Sequence, residues 1–564
     1  MAGISKVGKK GLQDGALTTT AASAPTVGAK GELFYNTTEN KLYVSNGTAW
    51  TRVNNDAPSA TGGTVVISTL NEGATFSYNL GTNFTDDSNT DAELTYSLES
   101  GTLPGGATLP TSGNSAMTGT VGNVSSNTVY TFSIRATDAA GATATQDYQQ
   151  QINTVAATVT GGTVTIPSVD EGSSASYDVD TNFTYPAGST FSAYSLQSGS
   201  LPSGLSFNTS TGVISGTMGT VSSDTAYSFT IRATDTDGDT ADQAYSWTIT
   251  NVPLSATGGT ITTYSSGGVN YKVNTFTSSG TITFNKSGSV DVLVVGGGGA
   301  GGGGIGGGGG GGGVIHLTNS TVSATNYTVS IGGGGATQTG AAQAGDDGYP
   351  GGNGGSTTFS NVAASGGGGG GSNAGNANTT GTVANGGGGG ADIASYHINP
   401  GRVGTINTIP SGWSGTAYGG FTGGAGGANN YPGSGGAGAS QNGVSSESNN
   451  AGEGGNGKQI ASMSPTGASY YWGGGGGGCG YAQSAANGGI GGGGGGAANS
   501  GGAVGVGGVG YNSGSNGSQG ATSGDDPAGG NGGVNTGGGG GSGGHGGGVG
   551  GSGGSGIVIV RYVV

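Results

Sequence analysis

Among 564 residues there is one cysteine, Cys479, and only 7% of the chain is charged. A single thiol excludes an internal disulfide framework. With no Cys pair and no clustered His set, nothing is spaced for zinc, and neither a metal nor a cofactor is expected. Proline is scarce, at 14 residues, and no apolar run reaches the eighteen residues that a membrane-spanning helix needs. Membrane insertion is not expected, and the chain reads as soluble. The opening "MAGISKVGKKGLQDGAL" is basic but lacks an apolar segment and a small-residue cleavage site, so no secretory signal is read there. Basic residues are scarce as well. Six of the 13 lie in residues 1–52 against three acidic ones, which leaves seven basic and 26 acidic residues for the remainder. Such a body is a poor nucleic-acid ligand, because neutralising phosphates needs clustered Lys and Arg.

What the chain does have is glycine, 138 residues of it, with Ser, Thr and Asn making up much of the rest. The first 29 residues show no period and read as an attachment peptide. Residues 30–56 ("GELFYNTTENKLYVSNGTAWTRV" within them) alternate short β-type runs with Asn-rich turns, as a small hairpin module does. A unit that small must lean on a neighbour or on copies of itself to bury a core.

A tandem repeat follows. "ATGGTVVISTLNEGATFSYNLGTNFT" from Ala60 matches "VTGGTVTIPSVDEGSSASYDVDTNFT" from Val159, and "YTFSIRATD" from Tyr130 matches "YSFTIRATD" from Tyr227. Period-2 alternation with Gly, Asn and Pro punctuation every ten or so residues predicts two seven-strand sandwiches, at residues 57–155 and 156–253. Within the second, Asp235, Asp237 and Asp239 alternate as the acids of calcium loops do. The matching loop of the first keeps only Asp138, which favours a hairpin turn with solvated acids.

Residues 254–564 form the glycine-rich domain, and from Gly296 to Gly556 glycine fills 104 of 261 positions. A floppy linker is the first reading of such a composition. Linkers, however, are not framed by apolar strands such as "SVDVLVV" (289–295) and "SGIVIVRYVV" (555–564), nor do they carry Trp413, Trp472 and nine tyrosines. Both framing runs are apolar at nearly every position, as strands covered on both faces are. Collagen is excluded, since glycine comes in blocks such as 366–371 and 473–478 and proline is scarce. What remains is a bundle of polyglycine-II helices, with three residues per turn and every backbone group pointing outward toward a neighbour. Few such helices could not persist, so many must stack under an apolar shell, for which Ile305, Val314, Ile315, Val504, Val506 and Val509 are candidates. The fold class expected is therefore all-β: a hairpin module, two immunoglobulin-like sandwiches and a β-framed polyglycine-II bundle.

The segments between glycine tracts are the loops of that bundle, and several combine aromatics with small polar residues. Tyr396, Trp413, Tyr418, Phe421, Tyr431, Tyr470, Tyr471 and Trp472 are the candidate binding residues, suited to stacking on sugar faces or entering an apolar crevice. Capping of the bundle ends by the same rings is an equally good reading. Catalysis is not expected. The adjacent acids Asp346–Asp347 and Asp525–Asp526 read as turn formers, and His316, His397 and His545 stand apart from any nucleophile or metal spacing.

Several of these stretches resemble known families. "YSLQSGSLPSGLSFNTSTGVISGT" with "SFTIRATD" looks like the immunoglobulin-like and cadherin-like repeats of bacterial and phage surface proteins, which implies a spacer. The glycine tracts resemble the polyglycine-II sandwich of the receptor-binding adhesins on T-even-type phage long tail fibres. "FTSSGTITFNKSGSVDVLVVGGGGAGGGG" and "GGSGIVIVRY" look like the glycine-rich domain common in phage tail-fibre proteins, and "GELFYNTTENKLYVSNGTAW" like a module near the N-termini of phage structural proteins. The resemblance implies a non-enzymatic virion protein made in the host cytoplasm. Its N-terminal segment would join other virion proteins, as a homotrimer or a monomer, and its distal loops would touch a host surface glycan or outer-membrane protein. A decoration fibre without a specific receptor and a bacterial surface adhesin are the alternatives.

Overall fold

The computed structural model describes residues 17–21, 26–27, 29–38, 41–53, 56–86, 90, 93–186, 190–338, 348–372, 383–388, 400–427, 432–447, 450–481, 483–521 and 525–564. The chain divides into two units, Met1–Val252 and Pro253–Val564. Regular structure among the described residues is β-strand, apart from two short 3-10 turns, Leu80–Asn83 and Val179–Asn182. The expected all-β class is what the chain adopts.

The N-terminal module is larger than its sequence suggests. Leu33–Asn36, Lys41–Ser45 and Trp50–Arg52 form an antiparallel meander, and Leu17–Ala21, read from sequence as part of an aperiodic peptide, adds a parallel strand beside Leu33–Asn36. "LTTTA" has no period to advertise it, but three Thr in a row suit an edge strand. The module's core is one buried ring, Phe34, between Tyr43 and Trp50 at 5.8 and 5.5 Å.

The repeats at 57–155 and 156–253 share one topology. In the first, Thr64–Asn71, Thr143–Asn153, Thr128–Thr137 and Thr95–Gly101 form a four-stranded sheet facing a three-stranded one, Ala107–Thr108, Ala116–Thr120 and Thr75–Asn79. The second repeats this with Thr163–Asp170, Thr240–Thr250, Thr225–Asp235 and Phe191–Gly199 over Ser174–Asp178, Val213–Thr217 and Leu205–Phe207. The conserved spelling has physical causes within each copy. Tyr148 stacks on Phe132 (5.5 Å) and Tyr245 on Phe229 (5.4 Å) at equivalent core positions. The "TGG" turn is clamped by a buried glutamine. Gln146 Nε2 donates to Gly63 and its Oε1 accepts from Gly62, while Gln243 does the same with Gly162 and Gly161.

In the glycine-rich unit, both framing runs are interior strands. Ile557–Val563 lies between Val269–Phe276 and Gly288–Val295 in an antiparallel six-stranded sheet whose other members are Thr260–Ser266, Val314–Val322 and Gly415–Tyr418. Alternate residues of these strands serve two cores. Val292, Val294, Val558 and Val560 pack with Phe276, Phe284 and Phe359 against a second, five-stranded sheet. Leu293, Val295, Ile557 and Ile559 pack with Trp472, Met463 and Ile460 on the other face. That double burial is why the runs are apolar at every position rather than at alternate ones.

His316 sits on Val314–Val322, with its Nε2 buried and unpartnered. Burial holds its pKa below the ordinary value of 6.5; Asp291 opposes this and Arg561 adds to it. A depressed native pKa means that the unfolded chain takes up the proton first. The stabilisation is complete above pH 6.5 and falls away as pH drops toward the native value. The urea midpoint of this unit should therefore fall more between pH 7.5 and 5.5 in the native chain than in His316→Gln; equal slopes would contradict the assignment.

Candidate functional site

The run Gly296–Gly313 is not a linker but two antiparallel rods that meet at Gly304–Ile305, both with positive φ (55° and 57°). Its hydrogen bonds repeat every third residue. Gly296, Gly299 and Gly302 donate to Gly313, Gly310 and Gly307. Gly297, Ala300 and Gly303 donate to Gly355, Gly352 and Tyr349, and Gly298, Gly301 and Gly304 to Gly554, Gly551 and Gly548, all at 2.8–3.0 Å. The carbonyls are taken up by other segments: Gly297 and Ala300 accept from Gly367 and Gly370, Gly299 and Gly302 from Gly540 and Gly543, and Gly298 from Gly335. One rod thus gives hydrogen bonds to three neighbours and receives them from three others. A period of three with outward-pointing groups on all sides is the geometry of a polyglycine-II lattice.

Side chains are shut out of its interior. A Cβ on Gly301 would stand 2.0 Å from the Gly541 carbonyl oxygen, and one on Gly312 2.0 Å from that of Gly296. At the perimeter a rod faces solvent with one residue in three. In the rod around residue 506, Gly505 and Gly508 point into the lattice, each with a neighbouring carbonyl oxygen within 2.0 Å of a would-be Cβ. Val506 and Val509 are 54% and 68% exposed. Val403 and Ile406, also three apart, are exposed likewise, at 68% and 59%. Val506 and Val509 are therefore not the covering shell expected of them, whereas Ile305, Val314 and Ile315 are wholly buried.

The rim also explains the abundance of Asn and Ser. A rod with no outer neighbour leaves backbone N–H groups unpaired, and side chains of adjacent rods accept from them: Asn487 Oδ1 from Val506 (2.8 Å), Asn516 Oδ1 from Gly507 (2.9 Å), Ser515 Oγ from Asn531 (2.7 Å), Asn531 Oδ1 from Ser552 (2.9 Å). Short polar side chains finish the lattice where backbone runs out.

The candidate aromatics divide on burial. Trp472 is wholly inside, stacked on Tyr511 at 5.4 Å beneath the six-stranded sheet. It was expected as a contact residue, and burial removes it from that role: its strand, Tyr470–Trp472, turns alternate residues inward, and Trp472 is on the core side. Tyr470 packs edge-on against Tyr511 (5.4 Å) and Trp472. Trp413 caps the other core, edge-on to Phe359 (5.4 Å) and Tyr327 (6.1 Å), with its Nε1 donating to Asn361 at 2.8 Å. Tyr418 ends a strand of the large sheet and carries Lys458 over its ring at 4.7 Å. Phe421 and Tyr471 are half-exposed. Tyr396 and Tyr431 lie outside the described residues, as do His397 and the Asp346–Asp347 pair. The exposed perimeter aliphatics went unnoticed in the sequence. Their signal is a hydrophobic residue spaced by three within glycine, as in "GVGGVG".

Reactive groups are few. Cys479 is buried beside Ile305, and burial pushes its thiol up to about 12, so it is not a nucleophile. Asp525 and Asp526 are exposed.

Comparison with known proteins gives two family matches. The He_PIG immunoglobulin-domain model matches residues 57–153 and 156–250, and the glycine-rich domain model matches residues 274–563, more than half of the chain. No curated protein sequence matches. Among solved structures, an endo-fucoidan hydrolase of glycoside hydrolase family 107, MfFcnA4, aligns at 14% identity over 38% of this chain and 34% of its own, with a TM-score of 0.22. The extracellular cadherin domains 1–4 of protocadherin gamma B7 align at 12% over 43% of this chain and 77% of theirs (TM-score 0.18), and the human desmocollin-1 ectodomain at 12% over 41% and 50% (TM-score 0.17). This chain spans about a third of the length of the hydrolase.

Proposed function

This chain belongs to the glycine-rich domain family and carries two immunoglobulin-like repeats, and from that premise we propose that it is a bacteriophage tail-fibre adhesin. In this reading the repeats are spacers, the N-terminal segment joins other virion proteins, and the glycine-rich unit binds the host cell surface. The family matches support a structural or adhesin-type protein; the finer reading rests on the lattice. Its interior admits nothing but glycine, while its perimeter displays one side chain in three that can vary without touching that interior. A recognition surface under pressure to change needs such a division. The half-exposed rings Phe421 and Tyr471 and the outward pairs Val403/Ile406 and Val506/Val509 are the contacts we assign, to a surface glycan or an outer-membrane protein. No reaction is part of the proposal.

The test is competition. Purified full-length chain should bind host cells and block adsorption of the parent particle. Phe421→Ala with Tyr471→Ala should weaken both at least about tenfold, as the loss of two aromatic anchors does, with the melting temperature unchanged. A chain that ignores cells and leaves adsorption intact would make it a decoration fibre. Undiminished blocking by the double variant would move the contacts elsewhere on the unit.

A further inference from the structure

The turn from Asp235 to Asp239, between the long strands Thr225–Asp235 and Thr240–Thr250, was expected to be solvated, and it is not. Asp235 is 2% exposed. Its Oδ1 accepts from the Asp237 and Asp239 amides at 3.0 and 2.9 Å, which shapes the turn. Its Oδ2 is buried with no hydrogen-bond partner, and so are Oδ2 of Asp237 and Oδ2 of Asp239. Three carboxylate oxygens without partners within five residues represent desolvated charge that nothing in the protein offsets.

The first repeat supplies a control. There Asp138 Oδ1 accepts from Ala140 and Ala142 at 2.9 and 2.8 Å, making the same turn with alanine where the second repeat has Asp237 and Asp239. The hairpin therefore requires the buried first aspartate and not the other two. Their acids are an addition that folding does not ask for.

A fourth carboxylate stands nearby. Asp239 hydrogen-bonds Thr154 of the preceding repeat and lies close to the charge of Glu72. Glu72 is itself buried, with Oε1 accepting from Val155 at 2.8 Å and Oε2 from Val124 at 3.0 Å. Burial, then the like charges of Asp235 and Glu72, hold the Asp239 carboxyl above its usual range; the bond to Thr154 works against them. Among the described residues these acids do not already stand at ligating geometry, and repulsion between like charges keeps them apart.

We propose that Asp235, Asp237 and Asp239, with Glu72 of the preceding repeat adding charge, form a calcium site at the junction of the two immunoglobulin-like repeats. All donors are hard oxygens on alternate residues of a short loop, which suits a large cation tolerant of irregular coordination better than magnesium, which demands a near-ideal octahedron. A cation there links the tip of the second repeat to the end of the first and stiffens the junction.

Calorimetric unfolding of the full-length chain provides the test. Sites of this class in extracellular modules bind with Kd on the order of 0.1–1 mM. Changing EDTA for 10 mM CaCl2 should raise the unfolding midpoint of the Met1–Val252 unit by about 4–7 °C. Asp237→Ala with Asp239→Ala, the residues the first repeat has there, should fold in EDTA and lose the calcium shift. No shift in the native chain, or the same shift in the double variant, would overturn the site. An equal shift with magnesium would overturn its assignment to calcium.

Discussion

Gly309→Val abolishes the cooperative unfolding of the Pro253–Val564 unit while leaving the transition of Met1–Val252 in place. Gly309 belongs to the second rod of the run Gly296–Gly313. A Cβ there would stand 2.2 Å from the Gly299 carbonyl oxygen and 2.7 Å from that of Ala300. Both obstacles are backbone, so no rotamer change relieves them, and the rod must move away from its neighbour. Since each rod holds several others, the shift propagates: Gly309 donates to Gly540 and accepts from Gly476. We expect a loss of at least about 4 kcal/mol, the range reached only when a substitution breaks a packed network. Val506→Ser, on an outward position of a perimeter rod, should stay within about 0.5 kcal/mol of the native chain. Amide exchange supplies a second readout. Gly297–Gly303 and Gly307–Gly313 should be protected in the native chain and exchange at random-coil rates in Gly309→Val. A valine variant with unchanged melting and protection would show that the lattice does not hold the unit together.

The second large effect is at Trp472. Replacing a fully buried tryptophan by alanine costs about 3–5 kcal/mol through lost burial and the cavity left behind. Trp472→Ala should destabilise the glycine-rich unit by that amount, and any loss of cell binding should track its unfolding. Tyr471→Ala, one residue earlier on the half-exposed side of the same strand, should cost less than about 1.5 kcal/mol. Trp472→Phe should recover most of the loss, because the indole Nε1 has no partner in its buried site and removing it leaves nothing newly unpaired. Cell binding that vanishes in Trp472→Ala at temperatures where the unit is still folded would restore this residue to the contact surface.

The aromatic candidates show where sequence reading stops. In "ASYYWGG" three rings stand side by side, and nothing local tells which faces the core. The side is set by pairing of Tyr470–Trp472 with Lys458–Ile460 and by the sheet that this ribbon lies against. Trp413 was equally ambiguous until the Asn326–Ser330 and Thr357–Phe359 strands brought Tyr327 and Phe359 to its ring. At the Asp235 turn, sequence showed three acids but not their burial, which arises from the end of the preceding repeat.

Composition and pattern alone settled the all-β class, the two repeats, the doubly covered framing strands and the packing of glycine rods in place of a linker, because each follows from local chemistry: side-chain alternation, a repeated spelling, backbone groups that must be paired. Tertiary structure alone decided which third of each rod faces outward, and so which valines and aromatics a partner can touch. A helix made of glycine has no side chain to mark its phase, and only its neighbours in the lattice supply one.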